Sequence, residues 1–144
     1  MQLTFKMSNN SQLITLTELN SFETMIGLSL PQDYRQHMLT YNGGIVEPYK
    51  LDHINYIDGD QGISKLYPIK YGSMTMEKIY SHLNNLIPNN YLSIGKTRGQ
   101  GEIIMSLNND GTYGNIKEWY PDGEINELSP SFTQLLNEMV ESDE

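Results

Sequence analysis

The sequence contains no cysteine among its 144 residues. This absence excludes disulfide bonds, thiolate catalysis and zinc sites built on cysteine, and it suits a reducing compartment. Long hydrophobic runs are also missing, since no stretch approaches the ~18 apolar residues of a membrane span and the first ten residues lack the apolar segment of a signal peptide. We therefore expect a cytoplasmic protein that does not interact with membranes.

Basic residues are scarce in one part of the chain only. Residues 1–98 carry eight lysines and arginines and eight acids, whereas residues 99–144 carry ten acids and the single base Lys117. The net charge of −9 therefore belongs to the C-terminal third. Such a charge repels nucleic acids and attracts basic proteins, although it also serves solubility. We expect seven of these acids to form a surface: Glu102, Asp110, Glu118, Asp122, Glu124, Glu127 and Glu138.

The first helix is predicted by its capping residues. Thr15 and Glu18 have the spacing of a capping box, in which each side chain satisfies a backbone N–H of the other residue. The helix should therefore begin at about Leu16, and Gly27 should end it. Its apolar face comprises Leu19, Phe22 and Ile26.

The second helix is predicted by a proline and a pair of glycines. Pro31 has the fixed φ and the missing N–H that suit a first helical position. Asn42-Gly43-Gly44 tolerates positive φ, so the helix should end there and lead into an extended stretch at residues 45–49. The inward side chains of this helix are predicted to be Tyr34, Met38 and Tyr41.

Short strands and two more helices are predicted for the rest of the chain. Thr75 should cap a third helix, and Ser129-Pro130 should begin a fourth helix, which is amphipathic. Asn109-Asp110-Gly111 is the strongest hairpin signal. The third helix should bury Met76, Ile79, Leu83 and Leu86. Strand-like runs occur at residues 63–69, 91–94, 103–107 and 113–119, separated by turns.

These patterns predict one α+β domain over residues 1–144. Helices bracket the strands, and the short turns favour a mainly antiparallel twisted sheet. We expect about four helices to pack on this sheet. The sequence shows no linker or repeat that would indicate a second domain.

Two groups of motifs carry a family resemblance. One includes Ile14-Thr15, Leu30-Pro31, Tyr34 and Tyr41-Asn42-Gly43-Gly44, and the other includes Tyr91-Leu92-Ser93-Ile94-Gly95 and residues 99–104. Together they are similar to the SUKH superfamily, which includes bacterial immunity proteins and fungal cell-wall-assembly regulators.

The resemblance implies a binding protein without catalytic activity. Bacterial members typically bind a toxin domain that is encoded beside them, and many of these toxins are nucleases. A nuclease is basic where it holds phosphate, so an acidic inhibitor is complementary to it. The resemblance thus implies an immunity protein, or antitoxin, with a basic toxin domain as its partner. The alternative is an intracellular regulatory or scaffold module that resembles the fungal members.

Partner-binding residues are expected in the acidic third. Trp119 and Tyr120 combine aromatic anchors with neighbouring acids, as suits recognition of a basic protein. For Trp119, a position capping the core of the sheet is an equally good interpretation. Lysine at positions 118 and 122 should weaken binding and leave folding intact. The predicted binding residues are Glu102, Asp110, Glu118, Trp119, Tyr120, Asp122 and Glu124.

Patterns for other chemistry are incomplete. Gly95-Lys96-Thr97 resembles the end of a phosphate-binding loop, but Asn90 stands where that loop requires glycine. Asp58-Gly59-Asp60 favours a turn over a calcium loop. We predict no catalytic residue, metal site or cofactor, and the sequence does not fix the oligomeric state. The three histidines lack the spacing of metal ligands on a helix: His37, His53 and His82.

Overall fold

Four helices and seven strands occur in the part of the chain that the structure, a computed structural model, describes: residues 5–8, 10–46 and 63–141. The α+β class and the number of helices are thereby confirmed. The helices are α1 (Leu16–Ile26), α2 (Gln32–Tyr41), α3 (Met76–Leu83) and α4 (Phe132–Glu141). The strands are β1 (Phe5–Lys6), β2 (Ile45–Val46), β3 (Ile63–Leu66), β4 (Tyr91–Thr97), β5 (Glu102–Ser106), β6 (Ile116–Trp119) and β7 (Ile125–Ser129).

The main sheet is an antiparallel meander. Its strand order is β3-β4-β5-β6-β7, and each strand pairs with its neighbours in the chain. β1 and β2 form a separate antiparallel ribbon, which a bridge between Gly44 and Leu66 joins to β3. All four helices and the main sheet contribute buried side chains to the core, and those of the helices include Leu19, Tyr34, Met76 and Phe132.

The capping residues set the bounds of the first helix, as predicted. The Thr15 hydroxyl accepts a hydrogen bond from the Glu18 N–H at 3.1 Å, and the Glu18 carboxylate accepts one from the Thr15 N–H at 2.9 Å. α1 begins at the next residue, Leu16, and ends before Gly27, whose φ is 74°. This capping box is therefore confirmed.

Several predicted bounds are wrong. Leu86 lies beyond the end of α3 and is 65% exposed, so it does not belong to the apolar face of that helix. β6 begins at Ile116 and not at 113, because residues 107–115 form a loop. β1 and β7 are not predicted by the sequence patterns. The extended stretch at 47–49, the turn at 58–60 and His53 lie outside the described residues.

Asn42 joins the end of α2 to two distant segments. Its backbone is left-handed, with φ at 50°, and its side chain is completely buried. The side-chain N–H₂ group donates to the Gln12 carbonyl at 3.0 Å and to the Ile69 carbonyl at 2.9 Å. Its oxygen accepts from the Ile69 N–H at 2.8 Å. One amide thus satisfies the buried Ile69 N–H and donates to two carbonyls, of which that of Ile69 also accepts from the Tyr71 N–H at 2.7 Å.

The next residue, Gly43, has no room for a side chain. A Cβ built there would lie 2.5 Å from the Tyr67 carbonyl oxygen, and φ is 83°. The Gly43 carbonyl faces Nε2 of the buried His37 at 3.0 Å. The His37 ring packs against Phe5 at 4.7 Å and Phe132 at 5.1 Å, measured between ring centroids. This apolar burial lowers the pKa of His37 to about 4, although the bond to Gly43 partly offsets it.

We predict that Asn42→Gly destabilises the protein by roughly 2 kcal/mol, because glycine keeps the left-handed backbone but removes the acceptor of the buried Ile69 N–H and the donor to the Gln12 carbonyl. Equilibrium unfolding in urea measures this loss. Asn137→Gly provides a control for the intrinsic cost of glycine, since Asn137 is exposed on α4 and the change should cost about 1 kcal/mol or less. Equal losses in the two variants would contradict the bridging role of Asn42.

We also predict a loss of stability as the pH falls from 6.5 to 4. The unfolded state binds the His37 proton near pH 6.5 but the folded state only near 4, so the unfolding free energy drops across this window by roughly 3 kcal/mol. Hydrogen bonds from Tyr71 and Lys70 lower the pKa of Glu18 to about 2. The protonation of Glu18 therefore affects stability only below about pH 4.5.

Urea unfolding at several pH values tests this prediction. His37→Gln cannot titrate and retains a donor for the Gly43 carbonyl, so it should flatten the profile between pH 6.5 and 4. His82→Gln, which changes an exposed histidine on α3, should leave the slope as it is. A wild-type slope in His37→Gln would show that another group is responsible.

Candidate protein interface

A tight hairpin between β6 and β7 presents two of the predicted acids to solvent. The Tyr120 N–H donates to the Glu124 carbonyl at 3.0 Å, and the Gly123 N–H donates to the Tyr120 carbonyl at 2.8 Å. Gly123 has a φ of 97°, which the turn requires. The Asp122 carboxylate accepts from the Glu124 N–H at 2.9 Å and so fixes the turn. Asp122 and Glu124 are both exposed.

Glu118 lies beside this turn, but it is buried. Only 1% of the residue is exposed, so the expectation that it belongs to the acidic surface is wrong. Its carboxylate accepts hydrogen bonds from the Tyr120 hydroxyl and from the Asn126 side chain, each at 3.0 Å. The Asn126 amide also donates to the Glu124 carboxylate at 3.0 Å. Glu118 is therefore fixed inside the hairpin, and Asn126 links it to an exposed acid.

Glu102 is likewise buried, at 7% exposure, and its expected place on the surface is also wrong. Its carboxylate accepts from the Ser93 hydroxyl at 2.6 Å and the Tyr67 hydroxyl at 2.8 Å. The Lys96 ammonium group lies 2.9 Å from it and balances its charge. Burial, together with the charge of Glu102, raises the pKa of Tyr67. The Glu102 carboxylate therefore holds β4, β5 and the residue after β3 together.

Trp119 occupies a second, smaller apolar cluster. It is 6% exposed and packs with Ile87 and Ile104, as the core-cap interpretation predicts. The register places it opposite Glu102 on β5 and Ile125 on β7. Trp119 therefore supports the sheet beneath the hairpin. Its neighbour Tyr120 is only half-buried.

Asp110 lies apart from the other predicted binding residues. It is exposed in the loop before β6, whereas the Asp122 turn follows β6, so the two acids lie at opposite ends of this strand. The Asp110 carboxylate accepts bonds from the hydroxyl and the N–H of Thr112, at 2.6 and 2.8 Å. These bonds lower the pKa of Asp110. The loop thus contains an ionised acid that is fixed in position.

Two exposed residues of β7 extend the hairpin surface and were not among the predicted binding residues. Ile125 is 41% exposed, and 75% of the Glu127 side chain is exposed. Glu127 lies 3.3 Å from the Lys117 ammonium group on β6, and this bond raises the pKa of Lys117. The run Ile125-Asn126-Glu127-Leu128 does not alternate apolar and polar residues, so the sequence lacks the strand signal that would have identified β7.

Within the described ranges, no three or more histidine, aspartate or glutamate side chains are grouped to hold a metal ion. None of the helices in those ranges combines the length and apolar character needed to span a bilayer. An open groove of about 390 Å³ lies at the end of α1, lined by Asn20, Glu23, Thr24, Gly27, Leu28 and Ser29.

The chain is similar to a known family and to a bacterial protein. The sequence model of the SMI1/KNR4 family (SUKH-1) matches residues 13–138. The SPbeta prophage-derived uncharacterized protein YokK of Bacillus subtilis (strain 168) is similar to this chain, with 25% identity over 154 residues. That alignment covers 90% of this chain and 78% of YokK. The family match contains the Asn42 junction and all five strands of the main sheet.

We predict that Glu118→Lys unfolds or severely destabilises the protein, by roughly 3 kcal/mol or more, because it buries an ammonium group where two donors face a carboxylate. Asp122→Lys should cost about 1 kcal/mol or less, since it affects an exposed turn. Thermal and urea unfolding of the two single variants measure the difference. Similar stability in both variants would contradict the buried role of Glu118. Because Glu118→Lys is expected to unfold the protein, the double lysine variant is unsuited to test binding.

Proposed function

The chain belongs to the SMI1/KNR4 family (SUKH-1), and from this premise we propose that it is an immunity protein, which binds and neutralises a toxin domain encoded nearby. Proteins of this family act through protein partners and are generally binding proteins without enzymatic activity. We propose a basic toxin, such as a nuclease, as the partner, and the cytoplasm as the place where the two proteins meet.

The observation that carries this proposal is the exposed acidity of the β6–β7 hairpin. Asp122, Glu124 and Glu127 are exposed close together in the chain, and the only base of the C-terminal third, Lys117, is paired with Glu127. Negative potential here faces solvent without a competing free cation from that third. A nuclease must present positive charge where it holds phosphate, so this surface is complementary to such a site.

The buried acids support a binding role over a catalytic one. General acid–base catalysis needs a carboxyl group within reach of a substrate. Glu102 and Glu118 are buried, and both oxygens of each already contact neighbouring side chains of the protein. These two carboxylates therefore stabilise the strands next to the hairpin. We propose contacts with the partner at Tyr120, Asp122 and Glu124.

We predict that this protein protects bacteria that express the toxin domain encoded beside its gene, and that the purified pair forms a complex. Electrostatic steering implies that the association rate falls by about tenfold or more between 50 and 500 mM salt. Growth with the two proteins co-expressed, and surface plasmon resonance at several salt concentrations, measure these effects. Absence of both protection and binding would contradict the proposal. Co-purification with a regulatory protein in place of a toxin would favour the scaffold alternative.

A matched pair of variants locates the charged surface. Asp122→Lys and Asp110→Lys make the same change of charge, and both acids are exposed and fix turns. Because the acids lie at opposite ends of β6, only Asp122→Lys should slow association strongly, by about tenfold. Equal effects of the two variants would show that net charge, and not the hairpin, steers the partner.

A further inference from the structure

β7 is the last strand of the main sheet, and it pairs only with β6 within the described residues. The opposite end of the sheet is different. There Gly44 exchanges backbone hydrogen bonds with Leu66 of β3, at 3.0 and 2.8 Å. An unpaired strand edge is a template for a further strand. β7 is therefore the long edge of this sheet that has no partner among the described residues.

The hairpin register shows which backbone groups face this edge. The Tyr120 N–H donates to the Glu124 carbonyl, and hydrogen-bonded and non-hydrogen-bonded pairs alternate along antiparallel strands. The pairing is regular from Tyr120 to Lys117, and the register of β7 shifts only after Glu127. Asn126 therefore bonds toward β6, whereas Ile125 and Glu127 direct their N–H and C=O groups outward. Two residues thus offer two donors and two acceptors to an added strand.

The side chains beside these groups suit recognition of a partner. Ile125 and Glu127 are two residues apart and point to the same face of β7. Ile125 offers an exposed apolar surface, and Glu127 an exposed carboxylate. In strand addition, backbone bonds supply affinity and alternate side chains supply specificity.

The charge around the edge of β7 favours a basic segment of a partner over a second copy of this chain. Asp122, Glu124 and Glu127 surround it, so a second copy of β7 would bring like charges against them, which destabilises paired strands. An extended segment rich in lysine or arginine would instead find opposite charges. The acids that protect the edge from self-association therefore also select a basic occupant.

We infer that the outer edge of β7 is a docking strand, which adds an extended basic segment of the toxin domain to the sheet through the backbone of Ile125 and Glu127. This inference rests on the proposed function and specifies its contact surface. Tyr120, Asp122 and Glu124 then lie at one end of the docked segment.

Two substitutions at one position separate backbone pairing from charge. Glu127→Pro removes the outward N–H and the charge, and proline is tolerated at an edge where the N–H faces solvent. Glu127→Gln removes only the charge. For the toxin domain encoded by the adjacent gene, Glu127→Pro should raise Kd about tenfold more than Glu127→Gln. Both variants should keep the wild-type melting temperature. Equal Kd values in two such variants would overturn the inference that β7 is a docking strand. A complex with the wild-type protein would in that case still support the immunity function.

Hydrogen–deuterium exchange on the wild-type protein tests the same inference if Glu127→Pro fails to fold. The amides of Ile125 and Glu127 should exchange rapidly in the free protein and at least ten times more slowly in the complex, since the added strand accepts their hydrogens. Unchanged exchange in a formed complex would overturn the inference. Slow exchange without toxin, together with a dimer by light scattering, would assign the edge to a second copy and would also overturn it.

Discussion

The left-handed, buried residue that ends α2 is the constraint on which the rest of the structure depends. Asn42 accepts a backbone conformation that most side chains disfavour, and its amide bonds to the segment before α1 and to the segment after β3. Gly43 then passes so close to the Tyr67 carbonyl that no side chain fits. The helical pair is thereby held at one fixed position against the first strand of the main sheet.

The acids of the C-terminal third fall into two groups according to their position in the main sheet. Glu102 and Glu118 lie inside the sheet region, where hydroxyl, amide and ammonium groups satisfy them. Asp122, Glu124 and Glu127 remain in solvent at the last hairpin. The first group stabilises the strands, and the second gives the edge its negative potential. A single excess of charge in the sequence therefore has two physical roles.

Local chemistry explains which parts of the fold were predictable. A capping box acts over three residues, and a left-handed helix end needs only asparagine or glycine, so α1 and α2 were predicted closely. The family motifs lie in the same segments. The buried acids were not predictable, because the partners of Glu102 include Tyr67, which is 35 residues away in sequence. Without those partners, a glutamate in a strand is indistinguishable in the sequence from a surface acid.

The candidate surface was predicted only in part, for a related reason. Asp122 and Glu124 lie in a Pro-Asp-Gly turn, whose polar character indicates exposure. Trp119 was open to two interpretations, and burial beside Ile104 identifies it as part of the core. β7 has a weak pattern because its outer residues face solvent and Leu128 alone among residues 125–128 packs on the main core. The exposure of the outer residues of β7 is thus the reason why its strand pattern is weak.

We propose that the Asn42 junction is a fixed scaffold and that the last hairpin is the binding surface. The most direct measurement is a titration of the ¹⁵N-labelled protein with the toxin domain encoded beside its gene, followed by NMR. We predict that the amide resonances of residues 120–128 shift most and that those of residues 42–44 stay in place. The largest shifts at the α1 groove, around residues 20–29, with an unchanged hairpin, would contradict this prediction.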